Sequence, residues 1–310
     1  MTEPVLTLFS TPKPFTDRHI AMIQRNSIQS WKQLGEKVVV VFIGEEEGVR
    51  AVARELDVRL IPDIRRNKKG TPLVSSIFES ARSANTSPLL GYINSDVIVF
   101  SDFPEICKKT AEQADRFVLA GQRWDLKVER PIRFQMGWES TLKKDIEDRG
   151  RRHPPAGSDY FVFPRACYPS IPDFAIGRAG WDNWMIFKAR WEHWKMIDAS
   201  DAITVVHQDH DYSHLPNGII HHRQVETLEN IKIMGGRFAV YTLSDANYYL
   251  KNNRILPRKI NRSRLIREIS LFPSVSLKSP LLGKLFYFLF NPQKVKRDIQ
   301  KDKNIKAHNP

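Results

Sequence analysis

The 310-residue sequence has little cysteine and no long apolar segment. Its two cysteines, Cys107 and Cys167, are too few for a disulfide framework or for a four-cysteine zinc site. No apolar run reaches the roughly 18 to 20 residues that a membrane-spanning helix needs. Residues 1–4 are followed at once by the strand-like segment Val5–Phe9 instead of a signal peptide. We therefore expect a cytoplasmic protein, either free or bound to the cytosolic face of a membrane.

Acidic residues are scarce at the C-terminal end. Of the formal net charge of +13, residues 251–310 carry +12, with fifteen Lys and Arg against three acids, and residues 1–250 carry +1. A domain that binds nucleic acid normally spreads its basic residues over the folded part, so this distribution disfavours nucleic acid as a partner. We predict a domain over residues 1–250 and a basic, partly helical extension over residues 251–310.

Apolar runs and helical spacings alternate along the first 125 residues. The run Val38–Ile43 is apolar on both faces, which is typical of a central strand in a parallel sheet. Repeated strand–helix alternation predicts βαβ units and an α/β fold with a mainly parallel sheet flanked by helices. The predicted strands are Val5–Phe9, Lys37–Ile43, Val58–Ile61, two within Leu89–Phe100, Arg116–Ala120, Asp159–Pro164 and Ala202–His207. The predicted helices are Asp17–Leu34, Glu45–Leu56, Thr71–Ala84, one from Asp102, Trp138–Glu147 and Gly180–Trp194.

A polar triplet, Asn94-Ser95-Asp96, separates the two strands within Leu89–Phe100. Ligands of open α/β sheets bind beyond the carboxyl ends of the strands, and buried polar groups are costly unless a ligand or an ion satisfies them. A carboxylate at this place suits Mg²⁺ or Mn²⁺, which would neutralise a diphosphate. The alternative is an Asx turn between two strands.

In order and spacing, residues 5–215 resemble the nucleotide-sugar glycosyltransferases of GT-A fold, particularly the family 2-like members. Those enzymes carry a D-x-D-type triplet after the nucleotide-binding half, and Asn94 stands where that motif often has Asp. The resemblance implies that Asp96 is the metal-binding carboxylate and that Asn94 and Ser95 contact the donor. It further implies a Rossmann-type, GT-A-like fold with a nucleotide-binding half over 1–126 and an acceptor half over 127–250.

Two carboxylates in the second half are candidate catalytic residues. Asp159 follows the small-residue turn at Gly157 and precedes an apolar strand, where it would accept hydrogen bonds from sugar hydroxyls. Asp182 lies in the Arg–Gly and tryptophan-rich segment 177–184, and the resemblance implies that it is the general base for the acceptor hydroxyl of an inverting enzyme. The alternatives are a loop-to-strand cap at Asp159 and a dipole-stabilised first-turn residue at Asp182.

Histidines are concentrated after the last predicted strand, in the segment 207–214. One interpretation is a zinc site made by His207, His210 and His214, although the spacing lacks a helical i, i+4 frame. The resemblance implies instead that a histidine beyond the last core strand, His207 or His210, completes the metal–diphosphate site. A solvated polar loop is the third interpretation.

Further candidates follow the first strands. Thr11 and Glu45 would contact the nucleotide base, and Lys68, Lys69 or the backbone of Gly70-Thr71 would contact a phosphate. Exposed loop residues have the same pattern, so both interpretations stay open.

The basic extension contains the apolar cluster Pro280–Phe290, flanked by Lys and Arg. The cluster is too short to cross a bilayer and suits a segment that lies among lipid headgroups, so residues 276–306 are a candidate contact with an anionic membrane. A terminal helix packed on the domain and an RNA-binding arm are the alternatives, and contiguous aromatics make RNA the weaker one.

The sequence thus predicts a metal-dependent transferase that moves a sugar from a nucleoside-diphosphate sugar to a glycan, a lipid-linked or a protein acceptor, with Mn²⁺ or Mg²⁺. A sugar-phosphate nucleotidyltransferase is the second enzyme class, but it normally has a Gly-rich loop where this chain has residues 10–14, which contain no glycine. A non-catalytic carbohydrate- or RNA-binding adaptor on the same fold is the third class.

Overall fold

The computed structural model describes residues 3–210 and 224–307. The strands are β1 (Leu6–Ser10), β2 (Val38–Ile43), β3 (Arg59–Ile61), β4 (Leu89–Ile93), β5 (Val97–Val99), β6 (Phe117–Ala120), β7 (Trp124–Leu126), β8 (Arg151–Arg152), β9 (Tyr160–Pro164), β10 (Lys195–Asp198), β11 (Val205–Gln208), β12 (Tyr248–Lys251) and β13 (Arg254–Pro257). The helices are α1 (Arg18–Lys32), α2 (Val49–Glu55), α3 (Val74–Ala84), α4 (Phe103–Ala111), α5 (Trp138–Arg149), α6 (Trp181–Trp191), α7 (Val225–Ile233), α8 (Arg262–Val275), α9 (Pro280–Phe290) and α10 (Pro292–Ala307).

A nine-stranded sheet in the order β13-β12-β10-β6-β9-β4-β1-β2-β3 forms the centre of the fold. Five of its pairs are parallel: β1 with β2 and β4, β2 with β3, and β10 with β6 and β12. Strand β9 runs antiparallel between β4 and β6, and β12 and β13 form an antiparallel hairpin. The mainly parallel sheet that the sequence predicted is therefore confirmed.

Both faces of this sheet are buried, which explains its apolar runs. Alternate residues of β4 face opposite sides: Leu90 and Tyr92 pack with α3 and α6, and Leu89 and Ile93 pack with α1, α2 and α4. A strand covered on both faces needs apolar side chains at every position, and that requirement produced the unbroken runs in the sequence.

A second, four-stranded sheet, β5-β11-β7-β8, was not predicted. The predicted strand Ala202–His207 does exist as β11, but it belongs to this small sheet and does not close the main one. The main sheet continues instead through β10, which begins directly after the predicted helix Gly180–Trp194. Short strands of three or four residues carry too little periodicity to be assigned to one sheet or another.

Two predicted helix starts were wrong for reasons visible in the backbone. Helix α2 begins at Val49 and not at Glu45, because Gly48 adopts φ +82° immediately before it. Helix α3 begins at Val74, since Pro72 pairs with Arg66 in an isolated β-bridge and does not occupy the first helical turn.

The C-terminal segment packs on the domain. Leu271, Val275, Tyr287 and Val295 are buried in the same hydrophobic cluster as α3 and α6. The predicted division at residue 250 falls inside the β12–β13 hairpin. No helix in the described part of the chain is long and apolar enough to cross a membrane.

Candidate active site

The candidate site lies at the carboxyl edge of the main sheet, where β4 ends. Because β9 is antiparallel to β4, the start of β9 lies beside the end of β4, and Ile93 is paired with Tyr160. This register places Asp159 next to the polar triplet, and the Asn94 amide donates to the Asp159 carbonyl at 2.8 Å. Two segments separated by 65 residues in sequence therefore meet at one point.

Asp96 is 4% exposed and is surrounded by cationic and imidazole groups. Its Oδ2 lies 2.9 Å from Lys13 Nζ and 3.2 Å from His210 Nε2, and its buried Oδ1 has no hydrogen-bond partner. Burial alone would raise the pKa of the Asp96 carboxyl. The charge of Lys13 and the hydrogen bond with His210 outweigh burial and hold that pKa well below its ordinary value. A buried anionic oxygen without a partner is an atom to which a ligand or an ion can bind.

Strand β11 brings the histidines to Asp96. Its antiparallel register with β5 pairs His207 with Val97, and the Gln208 amide donates to the Asp96 carbonyl at 3.2 Å. The ligand atoms of Asp96, His207 and His210 consequently lie within 4.8 Å of one another. His214, the third histidine of the zinc hypothesis, lies outside the described residues.

One carboxylate and two imidazoles form a donor set that suits a divalent ion such as Mn²⁺ or Zn²⁺, since carboxylate fits the harder ions and imidazole the softer ones. Together with the unpartnered Oδ1 of Asp96, this chemistry fits a cation site formed by Asp96, His207 and His210. The three residues are the ones that the sequence proposed as metal ligands, and that assignment stays a prediction.

Two carboxylates lie near Nδ1 of His207, a buried nitrogen without a hydrogen-bond partner among the described residues. The parallel register of β11 with β7 pairs His207 with Asp125, and Nδ1 lies 3.5 Å from Asp125 and 3.8 Å from Asp209. Burial alone would lower the pKa of His207, but these two carboxylates raise it to about 9. A carboxylate on one ring nitrogen orients a histidine for ligation through the other nitrogen.

Gln208 joins this edge to helix α1. Its side chain is fully buried, donates to the Ile23 carbonyl at 2.8 Å and to Ser27 Oγ at 2.9 Å, and accepts from Asn26 Nδ2 at 2.9 Å. The position of β11 beside Asp96 therefore depends on a buried polar network that no short motif revealed.

Asp159 is tied to its neighbours through both carboxylate oxygens. Arg123 Nη1 donates to Oδ2 at 2.6 Å, and Asn94 Nδ2 donates to Oδ1 at 2.7 Å. The Tyr92 hydroxyl in turn donates to Asn94 Oδ1 at 2.9 Å. Asn94 thus holds the triplet to Asp159 through an amide nitrogen, a donor that an aspartate at this position would lack.

Asp182 lies in the first turn of α6, directly after Gly180. Burial raises the pKa of its carboxyl, and the negative charge of Asp159 adds to the increase, although backbone amides partly offset both effects. Burial raises the pKa of Tyr92 as well, with contributions from Asp96, Asp159 and Asp182. The negative charges of the three carboxylates that the sequence selected therefore all act on the Tyr92 hydroxyl.

The residues that the sequence proposed as contacts to the nucleotide-sugar donor differ in their exposure to solvent. Ser95 is buried in the turn before Asp96, and the buried Thr11 Oγ1 after β1 has no hydrogen-bond partner. Glu45 is exposed, and Arg50 Nη2 donates to its carboxylate at 2.6 Å. Lys68 is exposed in the loop between β3 and α3.

Sequence analysis missed three charged residues of the site: Lys13, Arg123 and Asp125. Lys13 lies in a segment that is distinctive only for its lack of glycine, Asp125 lies in β7, which was not predicted, and Arg123 directly precedes that strand. The sequence did indicate two of them as candidates, because Arg123 and Asp125 follow the predicted strand Arg116–Ala120 at the carboxyl edge of the sheet.

No protein-family model and no curated protein matches the chain. Among solved structures, the S. aureus TarS 1-349 fragment is similar at 7% sequence identity and a TM-score of 0.49, over 93% of this chain and 73% of the fragment. The same fragment in complex with UDP-GlcNAc has 10% sequence identity and a TM-score of 0.48, over 74% of this chain and 65% of the fragment. S. aureus TarS has 10% sequence identity and a TM-score of 0.46, over 74% of this chain and 39% of TarS.

The architecture is mixed α/β, with a large, mainly parallel sheet flanked by helices, as the sequence predicted.

Proposed function

We propose that this chain is a glycosyltransferase that uses a nucleoside-diphosphate sugar and a divalent ion, Mn²⁺ or Mg²⁺. The single observation that carries the proposal is Asp96, a buried carboxylate with one unpartnered oxygen and with His207 and His210 within 4.8 Å. It lies beyond the carboxyl end of a central parallel strand, which is the place where sheets of this kind bind nucleotides.

Asp96, His207 and His210 are the proposed ligands of the ion. When bound, the ion would supply positive charge to a departing diphosphate. Asp125 and Asp209 place negative charge beside Nδ1 of His207. Thr11, Ser95 and Asn94 are the proposed contacts to the nucleotide from the ends of β1 and β4, and Glu45 and Lys68 from the loops beyond.

Asp182 is the proposed general base. Its raised pKa lets the carboxylate accept a proton from an acceptor hydroxyl more readily than an exposed aspartate does. Asp159 is proposed to contact the sugar hydroxyls while Arg123 and Asn94 fix its orientation, because a carboxylate can accept about four hydrogen bonds and here accepts two from the protein. In this assignment residues 1–126 bind the nucleotide and residues 127–250 the acceptor.

Calorimetry of the full chain with UDP and GDP, with and without Mn²⁺, tests the proposal, followed by a hydrolysis screen of nucleotide sugars. We expect binding of at least one diphosphate that Mn²⁺ strengthens, and slow ion-dependent release of the sugar to water. Nucleotide binding without any donor hydrolysis would favour an adaptor. Pyrophosphate release from a nucleoside triphosphate and a sugar phosphate would favour a nucleotidyltransferase.

We also propose that helices α8 and α9 attach the protein to the cytosolic face of an anionic membrane, where the acceptor would be located. The side chains Leu281, Phe288 and Leu289 are 79%, 55% and 64% exposed. In α9 the exposed apolar residues follow helical spacing, while Gly283 and Tyr287 on the other side are buried. Ten apolar side chains of the two helices are at least 40% exposed: Leu265, Ile266, Ile269, Phe272, Leu281, Leu282, Leu285, Phe288, Leu289 and Phe290.

Charge complementarity supports a lipid surface as the partner. The extension of residues 251–310 carries +12, and each basic residue near an anionic bilayer contributes about 1 kcal/mol. Neighbouring exposed apolar side chains of this kind are typical of an interaction site. Both cysteines are free and buried, which suits a reducing compartment.

Flotation with vesicles tests the membrane proposal. We expect the full chain to float with phosphatidylserine-containing vesicles and less with neutral ones. The double variant Leu281→Asp/Leu289→Asp should lose at least about 100-fold in partitioning, because two leucines no longer enter the headgroup region. The variant Met136→Asp, which changes a fully exposed apolar residue elsewhere, should float like the unmodified protein. Failure of the unmodified protein to float, or equal flotation of the double variant, would contradict the proposal.

A further inference from the structure

The Lys13 ammonium contacts two of the three proposed ligands of the ion. Its Nζ lies 2.9 Å from Asp96 Oδ2 and 3.2 Å from His210 Nε2, and these two atoms are themselves 3.2 Å apart. Nε2 can donate to Asp96 or accept from the ammonium, according to its tautomer, but it cannot do both at once. A metal ion would use the same Nε2 lone pair that accepts from the ammonium.

The backbone of Lys13 is held in place, so this contact does not depend on a freely mobile surface side chain. The fully buried Gln24 of α1 accepts from the Lys13 amide at 2.7 Å and donates to the Lys13 carbonyl at 3.1 Å. Pro12 and Pro14 flank the residue and restrict the chain on both sides. The side chain is 33% exposed, whereas that of Asp96 is 6% exposed, so the ammonium has room to leave and the carboxylate does not.

We propose that the Lys13 ammonium and a divalent ion are alternative occupants of one cation position beside Asp96 and His210. The inference rests on the proposed function for the identity of the ion's ligands. An ion bound to Asp96 Oδ2 and His210 Nε2 excludes the ammonium from the same two atoms, because an ion–ligand distance of about 2.1 Å leaves no space for a second cation at contact distance.

The alternation has a chemical consequence for a bound diphosphate. Without an ion, Lys13 neutralises the charge of Asp96, so the site does not repel a bound diphosphate. A lysine ammonium is also a common phosphate-binding group. With an ion bound, the displaced Lys13 side chain would keep its charge at the edge of the site, where it could pair with a phosphate. Nucleotide binding in the absence of metal is therefore expected to depend on Lys13.

Titration of the full chain with Mn²⁺ and no nucleotide tests the alternation. We expect Lys13→Met and Lys13→Gln to bind Mn²⁺ at least about tenfold more tightly than the unmodified protein, because a competing cation at contact distance is gone. Lys13→Arg keeps the positive charge and should bind Mn²⁺ no more tightly than the unmodified protein. Lys144→Met changes an exposed lysine of α5 and should leave the affinity unchanged.

A second titration, with UDP in the presence of a chelator, gives an independent measurement. Lys13→Met should weaken this metal-free binding at least about tenfold, and Lys13→Arg should restore most of it. Equal Mn²⁺ affinity of Lys13→Met, Lys13→Gln and the unmodified protein, including no measurable binding to any of them, would overturn the alternation. Tighter Mn²⁺ binding by the variants without nucleotide binding by any protein would support the alternation while contradicting the transferase proposal.

Discussion

Replacement of Asp96 by alanine is expected to abolish the strengthening of nucleotide binding by Mn²⁺ and to lower kcat/KM for donor hydrolysis by at least about 10²- to 10³-fold. The substitution removes the only carboxylate of the three proposed ligands and leaves Lys13 and His210 without the anion between them. Calorimetry with UDP or GDP, with and without Mn²⁺, measures the first effect, and a donor-hydrolysis assay measures the second.

Two further variants are compared with Asp96→Ala: Asp96→Asn separates the effect of charge from that of shape, and Asp115→Asn is a control. The first keeps the shape of the side chain and removes its charge, so it should lose nearly as much as alanine if charge is what matters. The second changes an exposed aspartate after α4 and should have no effect. Thermal unfolding of each variant separates loss of function from loss of fold. Ion-dependent nucleotide binding that survives Asp96→Ala would contradict the proposed site.

Asp182→Asn is expected to lower kcat by about 10²- to 10⁴-fold while donor affinity changes little, because it removes the proposed proton acceptor and no donor contact. The variant should not be less stable, since burial of the ionised Asp182 carboxylate in the folded state is unfavourable, as its raised pKa indicates. Steady-state kinetics with an identified acceptor and thermal unfolding measure these two effects.

The pH profile gives a separate signature of Asp182. A general base must be ionised, so activity is present above its pKa and falls as the pH decreases through it. Because burial raises the pKa of Asp182, this acidic limb should lie above the ordinary aspartate value of about 3.9. The limb should be absent from the residual activity of Asp182→Asn. A variant that keeps activity within a few-fold, with the limb unchanged, would show that the reaction does not use this base.

The strands of the main sheet were predictable where both of their faces are buried. Strands β2 and β4 are continuous apolar runs, and β1 is apolar except at Thr7 and Ser10, because helices cover the sheet on both sides. Helix α1 was also predictable, since Asp17 caps its N-terminus and accepts from the Ile20 amide at 2.8 Å. Strands β7 and β8, with three and two residues, have too few positions to show a period.

The chemistry of the site was predictable residue by residue, but its assembly was not. A polar triplet after a buried strand and a histidine-rich segment after another are local features of the chain. Their meeting depends on the register of β11 with β5 and on the buried network around Gln208, both of which join residues more than 100 positions apart. Lys13 had no local signal, because a lysine between two prolines is ordinary in an exposed loop.

Hydrophobic periodicity by itself determined the α/β class and the positions of the first strands along the chain, and the count of charged residues determined the basic character of the C-terminal segment. The tertiary structure alone decided that β11 belongs to a second sheet, that β9 runs antiparallel beside β4, and that a lysine lies between Asp96 and His210. The physical reason is the range of the interactions involved. Burial acts on every residue of a strand and leaves a repeating pattern, whereas strand register and ion pairing join single residues far apart and leave no pattern in the chain.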